Sequence, residues 1–569
     1  MKNKAIAGIF REIAELLELQ GEGVFRIRAY QKAAQVLESL PEDIEEVAKE
    51  DRLQDIPGIG KDLAAKIKEF ISSGTLSFLE ELKEDIPKGL LDVLKVPGIG
   101  PKTARLLYEK LNILDIVMLE RLAATGKIRA LPGIKEKTEE NILRGIELLK
   151  RGRERMDILT AMDAAAVFIE ELKNMKEVER IDPAGSLRRM KDTVKDIDIL
   201  IASDKAEKIM DKFTGSKEVK DILAKGPTKA SIVTKDNIQV DLRVIKKACY
   251  GSSLMYFTGS KSHNIRLRKI AIKKGLKLNE YGLFKKDKMI AGTNELDVYK
   301  ALGLDYIEPE LREDRGEIEL SLKGKLPDLV KLTDIKGDLH VHSTWSDGGS
   351  SIEEIVKGAI KAGYEYIAIT DHSKSLKIAG GLSEKSLMEK KKEILRLSRI
   401  YKDIKILCGS EVDIDLEGGL DYTDDILKEV DVVIAAIHTG FKQSKEKITK
   451  RIVRACSNKY VDIIAHPTGR LWGARDAYDI DLEEVFRVCK EYDVALEINS
   501  FPQRLDLNDI NSRMAKEKGV KIAIDTDSHS VEELSIMKLG VACARRGYLE
   551  KKDILNCLSF KALKNRLSH

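Results

Sequence analysis

Residues 337–348 read GDLHVHSTWSDG, a short strand that ends in two histidines and a loop that carries an aspartate. His340 and His342 share one face, because successive side chains of a strand alternate. Downstream, short apolar segments that end in ITDHS, GSEVD, AAIHTG, IAHPTGR and DTDSH alternate with charged helices. Repeated strand–helix alternation, with reactive residues where strands end, predicts a parallel α/β barrel over residues 337–569.

Candidate metal ligands gather at these strand ends. Six of the eight histidines lie here, and the first 262 residues contain none. A lone histidine is usually a packing or capping residue, but a set this dense is typical of metal coordination. Mixed imidazole and carboxylate ligands favour Mn²⁺, Zn²⁺ or Fe²⁺ over Mg²⁺, and such ions can supply hydroxide for phosphate-ester hydrolysis. The candidate ligands are His340, His342, Asp347, His372, Glu411, His438, His466, Asp527 and His529. Arg470 and Arg475 are candidate phosphate contacts, with surface salt bridges as the alternative.

Composition excludes several classes of protein. The 569 residues are 43% hydrophobic and 34% charged, which predicts several folded domains and argues against a disordered or fibrous chain. No apolar run is long enough for a membrane helix, and the charged N-terminal segment is unlike a signal peptide. The six cysteines form no Cys-x-x-Cys pair, which favours a reducing cytoplasm. Residues 243–290 hold 13 Lys or Arg against 2 acidic residues, which suits a solvated helix face or a phosphate-binding surface.

An internal repeat occupies the N-terminal part. PGIGKDLAAKI at 57–67, PGIGPKTARLL at 97–107 and PGIKEKTEENI at 132–142 align without gaps. Each copy predicts a glycine turn that leads into a helix, where exposed backbone N–H groups can hold a phosphate without reading a base. Three ordinary helix turns are the alternative. The repeat resembles the helix-hairpin-helix motif, a sequence-independent binder of the DNA backbone, and this resemblance implies DNA contacts at Gly58, Gly60, Gly98, Gly100 and Gly133.

Three aspartates form a second cluster. In KDIDIL at 195–200, strand geometry places Asp196 and Asp198 on one face, and Asp241 in VDL can add a third carboxylate from a later strand. Oxygen-only ligands suit Mg²⁺, and two such ions about 4 Å apart can drive phosphoryl transfer. A half-exposed strand is the alternative. Gly185-Ser186-Leu187-Arg188-Arg189, just upstream, is a plausible cradle for a triphosphate.

These residues resemble a family X DNA polymerase of the DNA polymerase beta kind. The resemblance covers G-S-x-R-R, the D-x-D pair, the third aspartate, and the later stretch Tyr256-Phe257-Thr258-Gly259-Ser260. It implies that Asp196, Asp198 and Asp241 hold two Mg²⁺ ions and catalyse nucleotidyl transfer, with Asp241 assisting deprotonation of the primer 3′-hydroxyl. It further implies that the nucleotide is held by Gly185, Ser186, Arg189, Tyr256, Phe257, Gly259, Asn264 and Arg268.

Gln239 departs from the family pattern, and Lys66 matches it more weakly than the residues above. Gln239 stands where the family has an arginine two residues before the third aspartate. Lys66 matches a family lysine that forms a Schiff base with an abasic sugar phosphate, and Tyr30 matches a supporting tyrosine. Such a lysine needs a lowered pKa, which Lys61 and Lys68 would provide if they lie close by, although Asp62 stands where the family has another lysine.

The C-terminal ligand series resembles the PHP (polymerase and histidinol phosphatase) domain. This resemblance implies a distorted (β/α)7 barrel with up to three Mn²⁺ or Zn²⁺ ions. The whole chain is similar to the bacterial and archaeal PolX type of family X polymerase, a multidomain α and α/β architecture. The expected parts are a lyase-like helix-hairpin-helix domain at 1–80, a fingers-type helix-hairpin-helix subdomain at 81–150, a palm at 151–248, a thumb-like nucleotide-selection subdomain at 249–316, an unpatterned polar linker at 317–336 and the PHP domain at 337–569.

The expected function is gap filling in DNA repair, combined with a metal-dependent 3′–5′ exonuclease. The resemblance adds abasic-site endonuclease and 3′-phosphatase activities. The expected partners are gapped or 3′-recessed duplex DNA and deoxynucleoside triphosphates, and the expected protein is a cytoplasmic monomer without membrane contact. Two alternatives remain at this point: a non-catalytic DNA-binding scaffold, and a phosphatase that acts on small phosphomonoesters.

Overall fold

The chain divides into two compact units, Met1–Arg153 and Glu154–His569. The computed structural model describes residues 2–38, 40, 43–56, 58–84, 86–96 and 99–567. Gly98, a predicted DNA contact, lies outside the described residues, as do Pro57 and Pro97 of the repeat. Among the described residues, no helix is long and apolar enough to cross a membrane.

The first unit is helical. Its aromatic core joins the first two helices, where Phe10 meets Tyr30 edge to face with ring centroids 5.5 Å apart, and Phe78 stacks on Tyr30 at 6.2 Å. The helices are α1 (Lys2–Gln20), α2 (Val24–Glu38), α3 (Ile44–Lys49), α4 (Lys61–Ser73), α5 (Ser77–Glu84), α6 (Lys88–Leu94), α7 (Pro101–Leu111), α8 (Ile116–Ala124) and α9 (Glu136–Glu154).

The three sequence repeats adopt the same turn. In each copy the isoleucine N–H donates to the carbonyl three residues earlier, from Ile59 to Ile56, Ile99 to Val96 and Ile134 to Leu131, at 3.0–3.1 Å. In the first and third copies, Gly58 and Gly133 have φ of +91° and +82°, a conformation that favours glycine. The prediction of a glycine turn before a helix is therefore confirmed for the described part of the repeats.

The predicted palm is a five-stranded mixed sheet in the order β2-β4-β7-β6-β5. Ile197 and Ile199 of β4 are buried beneath the sheet while the intervening Asp198 is only partly buried, as the period-two alternation predicts. Its elements are β1 (Met156–Asp157), α10 (Ile158–Lys173), β2 (Arg180–Pro183), α11 (Gly185–Arg188), β3 (Thr193–Val194), β4 (Ile197–Ala202), α12 (Ala206–Thr214), β5 (Val219–Lys225), β6 (Lys229–Thr234) and β7 (Gln239–Ile245).

The predicted thumb combines short helices with a three-stranded antiparallel sheet in the order β10-β9-β8. Two polar groups at its centre have a hydrogen-bond partner in the buried His263 ring. The Glu317 carboxylate lies 2.7 Å from Nδ1 of that ring, and the Tyr299 hydroxyl lies 2.9 Å from Nε2. The elements are α13 (Tyr250–Thr258), α14 (Lys261–Lys273), β8 (Lys277–Asn279), β9 (Gly282–Lys285), β10 (Lys288–Ala291), α15 (Glu295–Ala301) and α16 (Glu317–Leu322).

The expected linker at 317–336 differs from the prediction. It begins with helix α16, whose Glu317 and Ile318 are buried. Val330 is also fully buried, and its N–H donates to the Leu549 carbonyl at 3.1 Å. The polar sequence concealed this because the few apolar residues of the segment, together with a paired carboxylate, are enough to hold it against the barrel.

The C-terminal part is a seven-stranded parallel sheet in sequential order from β11 to β17. Beyond β11 and β17, His342 donates its N–H to the Ser528 carbonyl (2.8 Å) and Asp527 donates to the His340 carbonyl (2.9 Å), which joins the first and last strands. The predicted distorted (β/α)7 barrel is thus confirmed. Its elements are β11 (Gly337–Asp338), α17 (Ile352–Lys361), β12 (Tyr366–Ile369), α18 (Glu384–Ile400), β13 (Lys405–Asp413), α19 (Asp424–Leu427), β14 (Val432–Ala436), α20 (Lys445–Cys456), β15 (Ile463–Ile464), α21 (Leu482–Glu491), β16 (Ala495–Asn499), α22 (Asp509–Glu517), β17 (Ile522–Asp525), α23 (Met537–Arg546) and α24 (Phe560–Arg566).

Candidate active sites

The nine predicted ligands of the barrel converge at the carboxyl ends of its strands. Eight of them fall into three overlapping groups whose ligand atoms lie within 4.8 Å of one another. The groups are His342, Asp347, His372 and His529; His340, His342 and Asp527; and His372, Glu411 and His438. The ninth, His466, places Nε2 3.0 Å from Oε1 of Glu411. Parallel strands bring these residues together because all their carboxyl ends meet at one rim.

Glu411 and Asp527 lie at the centre of this cluster. Nε2 of His438 is 3.3 Å from Oε1 of Glu411, and Nδ1 of His372 is 2.7 Å from Oε2 of the same carboxylate. Oδ1 of Asp527 lies 3.0 Å from Nε2 of His342 and 3.6 Å from Nε2 of His340. Two buried carboxylates thus face imidazole nitrogens from most of the barrel strands.

Two further carboxylates orient the ligands, and the sequence analysis missed both. Glu497 in β16 accepts from Nδ1 of His340 at 2.7 Å, and Asp413 at the end of β13 hydrogen-bonds Nδ1 of His438. A partner on Nδ1 fixes the ring so that Nε2 faces the cluster, a common feature of metal-ligating histidines. The sequence did hold a signal for Glu497: its strand, ALEINS, is the one apolar strand of the predicted barrel to which no ligand was assigned.

The pKa values divide the histidines into two sets. Burial acts to lower the pKa of His372, but Glu411 and Asp347 outweigh it and raise that pKa to about 10. The pKa values of His438 and His529 rise to about 9, where neighbouring carboxylates likewise outweigh burial. Burial, together with the charges of His372 and His529, lowers the pKa of His342 to about 4. The carboxylates therefore draw positive charge into the cluster, as protons or as cations.

The residues fit a metal centre. Nδ1 of His342 is buried and has no hydrogen-bond partner among the described residues, while the buried Nδ1 of His372 and Oε2 of Glu411 lie 2.7 Å apart without hydrogen-bond geometry. Buried polar atoms without a partner are costly, and their position inside a set of mixed imidazole and carboxylate donors suits a transition-metal cation.

Arg470 does not occupy the position expected of a phosphate contact. Its guanidinium donates to the Arg504 carbonyl, to the Leu505 carbonyl (3.0 Å) and to Asp192 of the palm (3.1 Å). Arg504 is the better placed arginine, since its Nε lies 3.8 Å from Oδ2 of Asp527 and its buried Nη1 has no hydrogen-bond partner among the residues that the structure describes. Sequence analysis missed Arg504 because it lies 38 residues after His466 and outside the strand-end pattern.

In the palm, the strand register brings the predicted carboxylates together. Asp198 of β4 and Asp241 of β7 are direct partners on neighbouring parallel strands, and Asp196 precedes Asp198 by two residues. Gly185 has φ of +58°, and a Cβ on this residue would lie 2.3 Å from Oδ2 of Asp198. Only glycine allows the predicted phosphate turn to approach the carboxylates this closely.

The palm carboxylates also favour a cation. Burial, together with the charges of Asp196 and Asp241, raises the pKa of Asp198 to about 6. Oxygen-only ligands that repel one another suit Mg²⁺. Gln239 donates to Oδ1 of Asp241 at 3.2 Å. An amide therefore contacts this carboxylate at the position where DNA polymerases of the beta kind have an arginine.

The two arginines of the palm turn have different partners. Arg188 pairs with both oxygens of Glu295 (2.9 and 2.6 Å). Arg189 donates to Glu313 at 2.9 Å and to the Thr258 carbonyl. This second contact places Arg189 beside Gly259, where a Cβ would lie 3.2 Å from its Nη1.

The thumb residues predicted to hold the nucleotide begin at the end of α13. The Tyr256 and Phe257 rings meet edge to face with centroids 5.2 Å apart. Asn264 donates to the Tyr256 carbonyl at 2.7 Å. Arg268 lies exposed one turn further along α14, and Ser186 is partly buried in the palm turn.

In the first unit, the surroundings of Lys66 differ from the expectation. Its Nζ lies 2.6 Å from Asp62, and Lys68 pairs with Asp51 instead of approaching it. Burial acts to lower the pKa of Lys66, but Asp62 and Tyr30 outweigh it and raise the pKa. The condition expected for an amine nucleophile is therefore not met in this conformation.

Comparison with known proteins accounts for these features. Residues 1–76 match the helix-hairpin-helix domain, 90–147 the SAM-like helix-hairpin-helix tandem, 253–313 the DNA polymerase beta thumb and 338–501 the PHP domain. The DNA polymerase/3′-5′ exonuclease PolX of Bacillus subtilis (strain 168) is 40% identical over 565 residues, which cover 99% of this chain and 98% of that protein. The chain belongs to the PolX family.

Relatives of the barrel alone also exist outside the PolX family. A probable phosphatase of Thermoanaerobacter sp. (strain X514) is 38% identical over 207 residues, 34% of this chain and 78% of that protein. A probable phosphatase of Proteus mirabilis (strain HI4320) is 28% identical over 242 residues, 40% of this chain and 91% of that protein. Members of the polymerase and PHP families use divalent metals, in agreement with the two acidic sites of this PolX chain.

Proposed function

We propose that this protein fills short gaps in DNA during repair and shortens DNA 3′ ends at a second, separate site. The observation that carries the proposal is that both predicted ligand sets are intact: eight of the nine barrel residues form groups within 4.8 Å, and Asp198 and Asp241 pair on neighbouring strands, with the charge of Asp196 acting on Asp198. A scaffold that had lost catalysis would not need to keep mutually repelling carboxylates, partly buried in the palm and buried in the barrel.

At the palm, Asp196, Asp198 and Asp241 would hold two Mg²⁺ ions. When bound, these ions neutralise the phosphates and lower the pKa of a bound hydroxyl. Asp241, the strand partner of Asp198, would receive the proton of the primer 3′-hydroxyl. The groups that would position the incoming nucleotide are Gly185, Ser186 and Arg189 for the phosphates, Tyr256, Phe257 and Gly259 for the sugar, and Asn264 and Arg268 for the minor-groove edge of the new pair.

At the barrel, the nine ligands would hold up to three Mn²⁺ or Zn²⁺ ions, which when bound supply a nucleophilic hydroxide. Glu497 and Asp413 keep the Nε2 atoms of His340 and His438 directed into the cluster. Arg504 would bind the scissile phosphate, which its Nε supports by lying 3.8 Å from Oδ2 of Asp527. Abasic-site endonuclease and 3′-phosphatase activities use the same phosphate-ester chemistry at this site.

The helix-hairpin-helix turns at Gly58, Gly60, Gly100 and Gly133 support binding of the DNA backbone without base readout. The proposed substrates are gapped or 3′-recessed duplexes and deoxynucleoside triphosphates, and the proposed form is a cytoplasmic monomer. The six cysteines all carry free thiols, which suits a reducing compartment. Lyase activity at Lys66 stays a prediction that requires its pairing with Asp62 to open.

An end-labelled duplex with a one-nucleotide gap tests the proposal, incubated with the protein and Mn²⁺ with and without deoxynucleotides. We expect the primer to lengthen only with nucleotides and to shorten without them. Asp198→Ala should remove lengthening alone, and His342→Ala should remove shortening alone. An unchanged primer in both reactions, with the DNA still retarded in a gel, would favour the scaffold alternative.

The similarity of the barrel to probable phosphatases supports a second candidate, a phosphatase that acts on small phosphomonoesters. Turnover of such compounds without any action on DNA 3′ ends would favour it over the nuclease.

A further inference from the structure

The palm, thumb and barrel meet in a cluster of charged side chains, of which only Arg189 has a role in the proposed function. Arg546, at the end of barrel helix α23, is only 3% exposed at its side chain. Its Nη1 donates to the Arg189 carbonyl at 2.8 Å and lies 3.2 Å from Oε1 of Glu313. Its Nη2 donates to Asp509 at 2.6 Å. One barrel side chain thus contacts the palm turn and the thumb carboxylate at once.

Glu313 links the palm turn to barrel helix α23. The same oxygen, Oε1, accepts from Nε of Arg189 and from Arg546. The Glu313 side chain is 14% exposed, so these ion pairs are shielded from solvent and stronger than surface pairs. Burial acts to raise the pKa of Glu313, but Arg189 and Arg546 outweigh it and lower that pKa, so this carboxylate stays charged.

The balance of charge in this cluster favours an anion. Three guanidiniums, those of Arg189, Arg315 and Arg546, share two carboxylates, those of Glu313 and Asp509. Without Arg546 these direct ion pairs would be even, with Glu313 paired to Arg189 alone, and the charge of Lys191 would still act on both carboxylates. With Arg546 present, one positive charge is left over beside the palm turn.

We propose that Arg546 of the barrel is a positioning residue for nucleotide binding in the palm, because it orients the turn that carries Arg189 and shares the charge of Glu313. The proposal rests on the proposed function, in which Arg189 binds the triphosphate. The barrel therefore supports nucleotide incorporation independently of its own metal cluster.

The neighbouring arginine provides a matched control. Arg545 also joins the barrel to the thumb, through Glu310 at 2.7 Å and the Val330 carbonyl at 3.2 Å, but it has no contact with Arg189 or Glu313. Arg545→Met and Arg546→Met both keep a long apolar side chain and each removes one interdomain charge. Any difference between them reports on the link to Arg189.

The experiment measures kcat and KM for one deoxynucleotide, on a gapped duplex with Mg²⁺ and a primer whose last linkage is a phosphorothioate that resists shortening. A charge-assisted contact contributes about 1.5–3 kcal/mol, so Arg546→Met should raise KM about 10-fold or more. We expect kcat to change much less, and Arg545→Met to leave KM close to that of the unchanged protein.

A double-mutant cycle separates positioning from general damage. If Arg546 acts through Arg189, Arg546→Met should have little further effect on KM in an Arg189→Met background. Equal KM values for Arg546→Met and the unchanged protein, equal losses in Arg545→Met and Arg546→Met, or additive effects in the cycle would each overturn the proposal. If the unchanged protein incorporates no nucleotide, the proposed function fails first, and this inference fails with it.

Discussion

Glu295, the first residue of α15, is a carboxylate that two arginines share where the thumb meets the palm. Arg188 binds both of its oxygens at 2.6 and 2.9 Å, and Arg312 donates to Oε1 at 2.6 Å. The side chains of Glu295 and Arg312 are 8% and 0% exposed. Burial acts to raise the pKa of Glu295, but Arg312 and Arg188 outweigh it and lower that pKa from 4.5 to about 2.

This shift sets the size and the sign of the effect. A drop of about 2.5 units at about 1.36 kcal/mol per unit corresponds to about 3 kcal/mol in favour of the folded state. Because the folded pKa is depressed, this stabilisation is complete above pH 4.5 and is lost as the pH falls towards 2. Glu295→Gln should therefore remove it at neutral pH, where two buried guanidiniums would be left without a counter-charge.

Hydrogen exchange followed by mass spectrometry measures the loss locally. At pH 7 we expect peptides that contain α11, α13 and α15 to exchange about 100-fold faster in Glu295→Gln, since about 3 kcal/mol of opening free energy is lost. Glu319→Gln is the control, because Glu319 pairs with Arg266 at the surface of the same subdomain and such pairs contribute at most about 1 kcal/mol. Equal acceleration in both variants would refute the argument.

Two further predictions concern the active sites. Gly185→Ala should lower nucleotide incorporation about 100-fold or more, because the new Cβ would lie 2.3 Å from Oδ2 of Asp198. Gly275→Ala, which has a similar positive φ in open space, should have little effect in the same gap-filling assay, and equal losses would show that backbone strain alone is responsible. Asp413→Asn should weaken Mn²⁺ binding about 10–100-fold in a calorimetric titration, because Asp413 orients His438. Asp415→Asn, in the following turn, should bind Mn²⁺ normally, and equal affinities would contradict the orienting role.

Local sequence patterns were sufficient to predict the candidate ligands that recur at successive strand ends. The nine barrel ligands follow strand ends, and strand ends are visible as apolar runs that stop at a polar residue. The same holds for Asp196 and Asp198, whose alternation with isoleucine is the period of a strand. The partners of these ligands were not predictable in this way, because Glu497 lies inside a strand and reaches His340 across 157 residues of chain.

The segment at 317–336 shows a second limit. Its composition is that of a linker, yet Glu317 and Val330 are buried. The Glu317 carboxylate pairs with the His263 ring, and the Val330 N–H donates to the Leu549 carbonyl. A burial that depends on one distant histidine or one distant carbonyl leaves no periodic pattern in the segment itself. Arg470 shows the reverse case, since its position after His466 suggested a phosphate contact while the fold pairs it with Asp192.

By itself the sequence determined the order of the domains, the barrel, and the set of candidate metal-binding residues, because each depends on residue type and short-range spacing. Only the tertiary structure decided which side chains those residues face. It paired Lys66 with Asp62, placed Arg504 instead of Arg470 beside the cluster, and brought Arg546 to Arg189. The physical reason is that a pKa, a hydrogen bond or an ion pair depends on distance and burial, and both are set by the packing of segments far apart in the chain.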